Sequence, residues 1–185
     1  MQIISGMFKG ERIYTPRHTK IAPTSSVVRR AIFDFLKPVI KNKNVLDLYA
    51  GSGALGIEAL SRGAKKATFV EFDSECVKVI KSNISKLKNV DTEVIPLEVF
   101  MAIRLLKGNL FDIVFMDPPY KEKLIKSILL EISEYDIVDK NSLLIAEHHK
   151  KEIFADVIGV FALIKQKRYG ETAVSVFEML ERKNV

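Results

Sequence analysis

Asp117-Pro118-Pro119-Tyr120 is the segment of this 185-residue chain whose residue types constrain its chemistry most. Two consecutive prolines fix φ and remove two backbone donors, so the chain leaves the apolar run Phe111–Met116 and offers acceptors only. These acceptors are the Asp117 carboxylate and the Pro118 carbonyl, with the Tyr120 ring beside them. Such a set suits an exocyclic amino group on a flat ring. Two acceptors take both N–H hydrogens, aim the nitrogen lone pair at a methyl donor and stabilise the charge that builds on nitrogen. Tyr120 is placed to stack on the ring, as aromatic side chains do with unpaired or flipped bases. No strong base is required, because the proton is acidic once the nitrogen is methylated.

The second constellation is the run Asp47-Leu48-Tyr49-Ala50-Gly51-Ser52-Gly53-Ala54-Leu55-Gly56. Gly51, Gly53 and Gly56 match G-x-G-x-x-G, and Glu71 follows Gly51 by 20 residues at the end of the next β-branched run. Glycines permit a tight turn and a close ligand, and the following helix presents free N–H groups. Two cofactors suit the pattern. A dinucleotide would set its pyrophosphate on the helix N-terminus. S-adenosylmethionine has no phosphate and would bring its ammonium towards Asp47, a carboxylate badly placed beside a pyrophosphate. The candidate cofactor residues are Asp47, Tyr49, Ala50, Gly51, Ser52 and Gly53 in the loop, then Glu71, Phe72 and Asp73. Glu71 is suited to the ribose hydroxyls and Phe72 to the adenine face. Glu98 and Val99 follow the third strand, where Glu98 reads equally as an adenine partner and as a helix cap.

These residues need a scaffold, and the periodicity supplies one. Strands are expected at Val45–Leu48, Ala67–Glu71, Glu93–Pro96, Phe111–Met116 and Ser142–Ala146. Helices are expected at Ala54–Ser61, Ser74–Leu87, Val99–Leu106 and Leu124–Ser133. This alternation predicts a parallel sheet covered on both faces. Val160–Arg168 and Ala173–Met179 are separated too closely for a crossover helix and are expected to pair antiparallel. Ahead of the sheet, residues 2–5 and 11–14 read as a small hairpin. A helix of about 25–37 follows, capped by Thr24 or Ser25. The expected fold is α/β and Rossmann-like: a seven-stranded, mostly parallel sheet with a C-terminal antiparallel hairpin, the layout of class I methyltransferases.

Composition narrows the setting. Hydrophobic residues make up 48% of the chain, enough for a buried core, and no apolar run approaches the length of a membrane span. The first residues lack a signal peptide's apolar stretch, so a cytoplasmic protein is expected. The single cysteine, Cys76, excludes an intramolecular disulfide and reads as a small apolar filler; no metal site is expected. The net charge is +6, and its whole excess falls in residues 1–43, where only Glu11 and Asp34 oppose the basic side chains. A basic appendage, residues 1–43, joined to a near-neutral body, residues 44–185, is the pattern of a protein that grips a polyanion.

The segments SGMFKG, PTSSVVRRAIFDFL, DLYAGSGALGIEALSRGA, FVEFD, FDIVFMDPPY and KRYGETAVSVFE together resemble the RsmD family of class I methyltransferases over nearly the whole chain. That resemblance implies methyl transfer from S-adenosylmethionine to the N2 amino group of one guanine in small-subunit (16S) ribosomal RNA. The partner expected is RNA within a small ribosomal subunit or an assembly intermediate; a monomer is expected from the chain itself rather than from the resemblance. It assigns Asp117, Pro118, Pro119 and Tyr120 to catalysis, and Lys9, Arg12, Thr24 and Arg29 to RNA. The chain departs from the family pattern at Ala22 and Arg30, neither of which bears on the amino-group chemistry, and at Glu98, where the family tends to carry Asp or Asn. Other readings stay open: an amino methyltransferase acting on adenine in DNA or RNA, a dinucleotide oxidoreductase, or a non-catalytic RNA-binding assembly factor. The adjacent His148 and His149 point to opposite faces of a strand and make a poor metal pair.

Overall fold

The computed structural model describes residues 1–16, 24–119 and 124–181. Five strands lie parallel: β1 Asn44–Leu48, β2 Lys66–Val70, β3 Asp91–Ile95, β4 Ile113–Met116 and β5 Leu143–His149. Three more complete the sheet antiparallel, β6 Val157–Ile158, β7 Phe161–Tyr169 and β8 Thr172–Met179, in the order β3-β2-β1-β4-β5-β8-β7-β6. The sheet thus has eight strands rather than the seven expected. The extra strand, β6, has two residues, too few for any periodicity to announce. The β7–β8 hairpin turns through Gly170, whose φ of 63° is the left-handed value that a two-residue turn requires.

Helices cover both faces. On one lie α1 (Ser26–Leu36), α2 (Ala54–Ser61) and α3 (Ser74–Ile84); on the other lie α4 (Val99–Leu105) and α5 (Ile125–Glu134). The buried positions of α1 are Val28, Arg29, Ile32, Phe33 and Leu36, one stripe at helical spacing. Ser25, not Thr24, caps this helix, accepting from the Val28 N–H at 3.2 Å. Phe33 is fully buried with its ring 5.6 Å from that of Phe115 on β4, a contact that pins α1 across the sheet. Burial of such a ring contributes roughly 2–3 kcal/mol. Among the described residues, no helix is long and apolar enough to cross a membrane.

The expected N-terminal hairpin is a single antiparallel bridge, Gln2 to Arg12, and no strands form there. The segment is held instead by the end of α2. The buried Glu58 accepts from the Ile4 and Ser5 N–H groups at 2.8 and 3.1 Å. The Ser61 carbonyl accepts from Met7 at 2.7 Å. Gly6 passes so close that a Cβ there would lie 1.8 Å from the Ser61 carbonyl oxygen, and its φ is 90°.

Candidate active site

The strand order reverses between β1 and β4, and ligands of such sheets lie in the crevice at the carboxyl ends beside that switch. The glycine loop lies there. Tyr49, Gly51 and Gly53 have φ of 60°, 54° and 77°. Left-handed backbone is free for glycine but costs tyrosine on the order of 1 kcal/mol, and such strain clusters at functional sites. Gly56 serves packing: a Cβ there would lie 2.3 Å from the Phe69 ring on β2.

Carboxylates organise the loop. Asp47 on β1 is buried, and its Oδ2 accepts from the Gly56 N–H at 2.9 Å. Burial pushes its pKa up to about 7, with the Gly56 bond opposing and the Glu71 charge adding to the rise. Glu71, also buried, accepts from Gly51 N–H through Oε2 and from Asp73 N–H through Oε1, both at 2.9 Å. It therefore ties the first loop to the second. Asp73 caps α3 by accepting from Glu75 and Cys76, and these bonds hold its carboxyl below the usual range. Glu98 is the N-cap of α4, accepting from Phe100 at 3.0 Å, while Val99 is buried beneath it. Phe72 stands 69% exposed between Glu71 and Asp73, an uncovered ring at the crevice edge. Ala50 and Ser52 are buried, and the Ser52 carbonyl accepts from Asn83 Nδ2 at 3.0 Å.

Asp117 follows β4 directly. Its Oδ2 accepts from Thr24 Oγ1 at 3.0 Å, which joins the residue before the α1 cap to the fourth strand. Burial raises the Asp117 pKa well above the ordinary value; the charges of Glu147 and Asp47 raise it further, and the Thr24 bond opposes them. Pro118 is buried and Pro119 exposed, while Tyr120 lies outside the described residues. The two strands that flank the switch, β1 and β4, and their outer neighbours β2 and β5 thus each end on or near an acid: Asp47, Asp117, Glu71 and Glu147.

This donor set discriminates between the two cofactors. The charges acting on Asp47 and Asp117 are all acidic, so the crevice gains from a cation. The N–H of Gly56 at the head of α2 is already bonded to a carboxylate, which would repel a pyrophosphate placed there. The sulfonium and ammonium of S-adenosylmethionine fit; a dinucleotide does not.

The N-terminal residues divide. Lys9 and Arg12 are exposed, and the Arg12 guanidinium lies 5.4 Å from the centre of the Tyr14 ring. Arg29 is 2% exposed, so its expected place on an RNA-facing surface is corrected. Its guanidinium donates to the Gln2 carbonyl at 2.8 Å and to Met1 Sδ at 3.0 Å, pinning the N-terminal segment to α1. Thr24 likewise faces Asp117. Sequence reasoning missed Glu58 and Asn83, whose partners lie more than 50 residues away for Glu58 and 69 for the Tyr14–Asn83 pair. Glu147 carried a readable signal: an acid closing an apolar strand, as Asp47 and Asp117 do. Its neighbour His148 turns away, with Nε2 2.8 Å from Ser175 Oγ and its ring edge-on to Phe154.

Similarity to known proteins agrees with this geometry. The family model described as "Conserved hypothetical protein 95" matches residues 1–178. The chain is 33% identical over 181 residues to "Putative rRNA methyltransferase YlbH" of Bacillus subtilis, covering 96% of this chain and 98% of that one. It is 30% identical over 178 residues to "Ribosomal RNA small subunit methyltransferase D" of Escherichia coli K12, covering 96% and 89%. The solved structure of "Putative methyltransferase yhhF" from Escherichia coli superposes with a TM-score of 0.86 at 28% identity, over 98% of this chain and 99% of that one. The chain belongs to the Conserved hypothetical protein 95 family and is an S-adenosylmethionine-dependent methyltransferase of the RsmD and YlbH type.

Proposed function

We propose that the protein methylates the N2 amino group of a guanine in small-subunit ribosomal RNA. The observation that carries the reading is the acceptor-only loop Asp117-Pro118-Pro119, closing β4 beside a crevice of carboxylates with Asp117 oriented by Thr24. The methyl group comes from S-adenosylmethionine. Asp47 and Glu71 would hold its ammonium and ribose ends, Tyr49 to Gly53 would form the turn beside it, Phe72 and Asp73 would meet the adenine, and Glu98 and Val99 would contribute from the third strand's loop.

The residues of the chain then do four things. Asp117 and the Pro118 carbonyl accept the two N–H bonds of the amino group and fix its lone pair on the line of transfer. Asp117, poorly solvated and beside Glu147, answers the positive charge that grows on nitrogen more strongly than a solvated carboxylate would. Tyr120 would cover the base; as the C–N bond forms and the donor's S–CH3 bond breaks to leave a neutral thioether, the bound N–H becomes acidic and its proton passes to water without a strong base. Lys9 and Arg12 grip the phosphates around the target. The small-subunit ribosomal RNA methyltransferases among the relatives support the choice of RNA.

The test is transfer of labelled methyl to small ribosomal subunits lacking the modification, with free ribosomal RNA and duplex DNA in parallel. Label recovered as N2-methylguanosine at one nucleotide, and lost in Asp117→Ala while the cofactor still binds, is the expected result. Label on adenine, or on DNA alone, would overturn the substrate. Turnover unaffected in Asp117→Ala would overturn the site.

A further inference from the structure

A second surface lies on the same face of the sheet as Asp117, towards the β7–β6 edge. Along β7 the exposed Lys165 and Lys167 stand opposite Val176 and Val174 of β8. Between them and α1 runs an open groove of about 370 Å³ lined by Phe35, Ile145, Lys165, Lys167, Tyr169 and Val174, with Asp34 at its rim. Lys165 Nζ lies 4.7 Å from the centre of the Phe35 ring, and Lys167 Nζ 5.5 Å from that of Tyr169. Among the described residues neither lysine has a carboxylate partner. Asp34 is the acid lining the groove, against two cations.

The lysines face the groove because of one irregularity. Leu163 pairs with Phe177, whose side chain lies in the core on the α4–α5 face. In a regular strand Lys165 and Lys167 would follow Leu163 onto the α4–α5 face, where Gln166 and Arg168 stand exposed. The register shifts by one residue between Leu163 and Lys165, so both lysines pair instead with valines of the α1 face. A bulge that re-aims side chains beside a binding site is a common device. It also sets the level. Met116 pairs with Ala146, Ala146 with Ser175 and Ser175 with Gln166, so Asp117, Glu147, Val174 and Lys167 stand one residue further along, in line across the sheet. Lys167 is therefore three strand spacings, about 14 Å, from the catalytic loop on the same face.

We propose that this groove is a second RNA-binding track, in which Lys165 and Lys167 take phosphates and Tyr169 takes a base of the strand leading away from the target nucleotide. The proposal rests on the RNA-methyltransferase reading. Cations held over aromatic rings, in an open channel aligned with the catalytic loop, fit a single-stranded polyanion with stacking bases. The N-terminal basic segment would then hold the RNA on one side of the crevice and the β7 track on the other.

The test measures binding of a mixed-sequence single-stranded RNA oligonucleotide across a salt series for four proteins: unaltered, Lys165→Gln/Lys167→Gln, Lys165→Arg/Lys167→Arg, and Lys126→Gln/Lys140→Gln as a charge-matched control. The glutamine pair in the groove should bind several-fold more weakly and flatten the slope of log affinity against log salt by about 1.4. Cofactor affinity should not change, and methyl transfer should keep its kcat while KM for RNA rises. The arginine pair should restore the slope. An unchanged slope in the groove variant, or an equal loss in the control, overturns the track while leaving the methyltransferase reading intact. Absence of binding of this oligonucleotide by the unaltered protein overturns the track, while methyl transfer to small ribosomal subunits decides the methyltransferase reading separately.

Discussion

Thr24 Oγ1 donates to Asp117 Oδ2 across 3.0 Å, so a residue just ahead of the α1 cap orients the carboxylate to which the proposed amino-group transfer assigns the acceptor role. The two are 93 positions apart, and the bond is one of the influences that hold the Asp117 pKa down against burial and Glu147. Thr24 is thus a positioning residue. Thr24→Val should lower kcat about tenfold, the order expected for one hydrogen bond to a charged group. Cofactor affinity should be little changed, and the acidic limb of the pH–rate profile should move to higher pH. Thr24→Ser should recover both, and a Val variant with an unmoved pH profile would assign Thr24 to packing alone.

Asp47 gives a prediction with a definite sign. Its folded pKa of about 7 lies above the ordinary 3.8, so in the ligand-free protein the folded state holds the proton more tightly than the unfolded chain. The associated stability is whole below about pH 4 and is lost as pH rises through about 7. Asp47→Asn should therefore raise the stability of the ligand-free protein at pH 8, by up to ~4 kcal/mol, and leave it nearly unchanged at acid pH. The cationic cofactor should bind the unaltered protein more tightly as pH rises through the same window, a dependence that the Asn variant should lose. Thermal melts and calorimetric titrations at three pH values check both halves.

Arg29 tests the division between grip and scaffold. Arg29→Ala removes the donor to Gln2 and Met1 from a buried position where Glu58 supplies the favourable charge. It should cost about 2–4 kcal/mol of stability and speed amide exchange in residues 1–13. Lys9→Gln/Arg12→Gln should behave oppositely, with no loss of stability and an RNA affinity that responds less to salt. If Arg29→Ala proved as stable as the parent, the anchoring role would fail.

Gly6→Ala probes the same docking through the backbone. The added Cβ would meet the Ser61 carbonyl at 1.8 Å, and alanine disfavours a φ of 90°. Neither conflict relaxes through a side-chain rotation. A loss of about 2–3 kcal/mol is expected, with the segment released from α2. Limited proteolysis should then cleave ahead of residue 24, and an unchanged digestion pattern would count against the docking described here.

Much of the architecture was legible because its signals are local. The run 47–56, the spacing to Glu71 and the apolar strand before Asp117 each reflect neighbours along the chain, as does the short link that forces β7 and β8 antiparallel. The capping roles of Ser25 and Glu98 follow from position in the same way. What stayed hidden depends on partners far apart. The charge excess of residues 1–43 suggested that Arg29 faces solvent, yet its helical phase buries it under Met1 and Gln2. Thr24 reads as a helix cap until the fold brings β4 to it.

The sequence by itself determined the order of strands and helices, the acceptor-only loop, the glycine turn and the carboxylates at strand ends, because period, φ restriction and side-chain chemistry act over a few residues. Only the tertiary structure decided which carboxylates share one crevice, since proximity and desolvation, the causes of the raised Asp47 and Asp117 pKa values, exist only once strands pair. It alone decided the direction of Lys165 and Lys167. Strict alternation would put them on the face of Leu163, and one residue of slippage against β8 turns them to the α1 face instead.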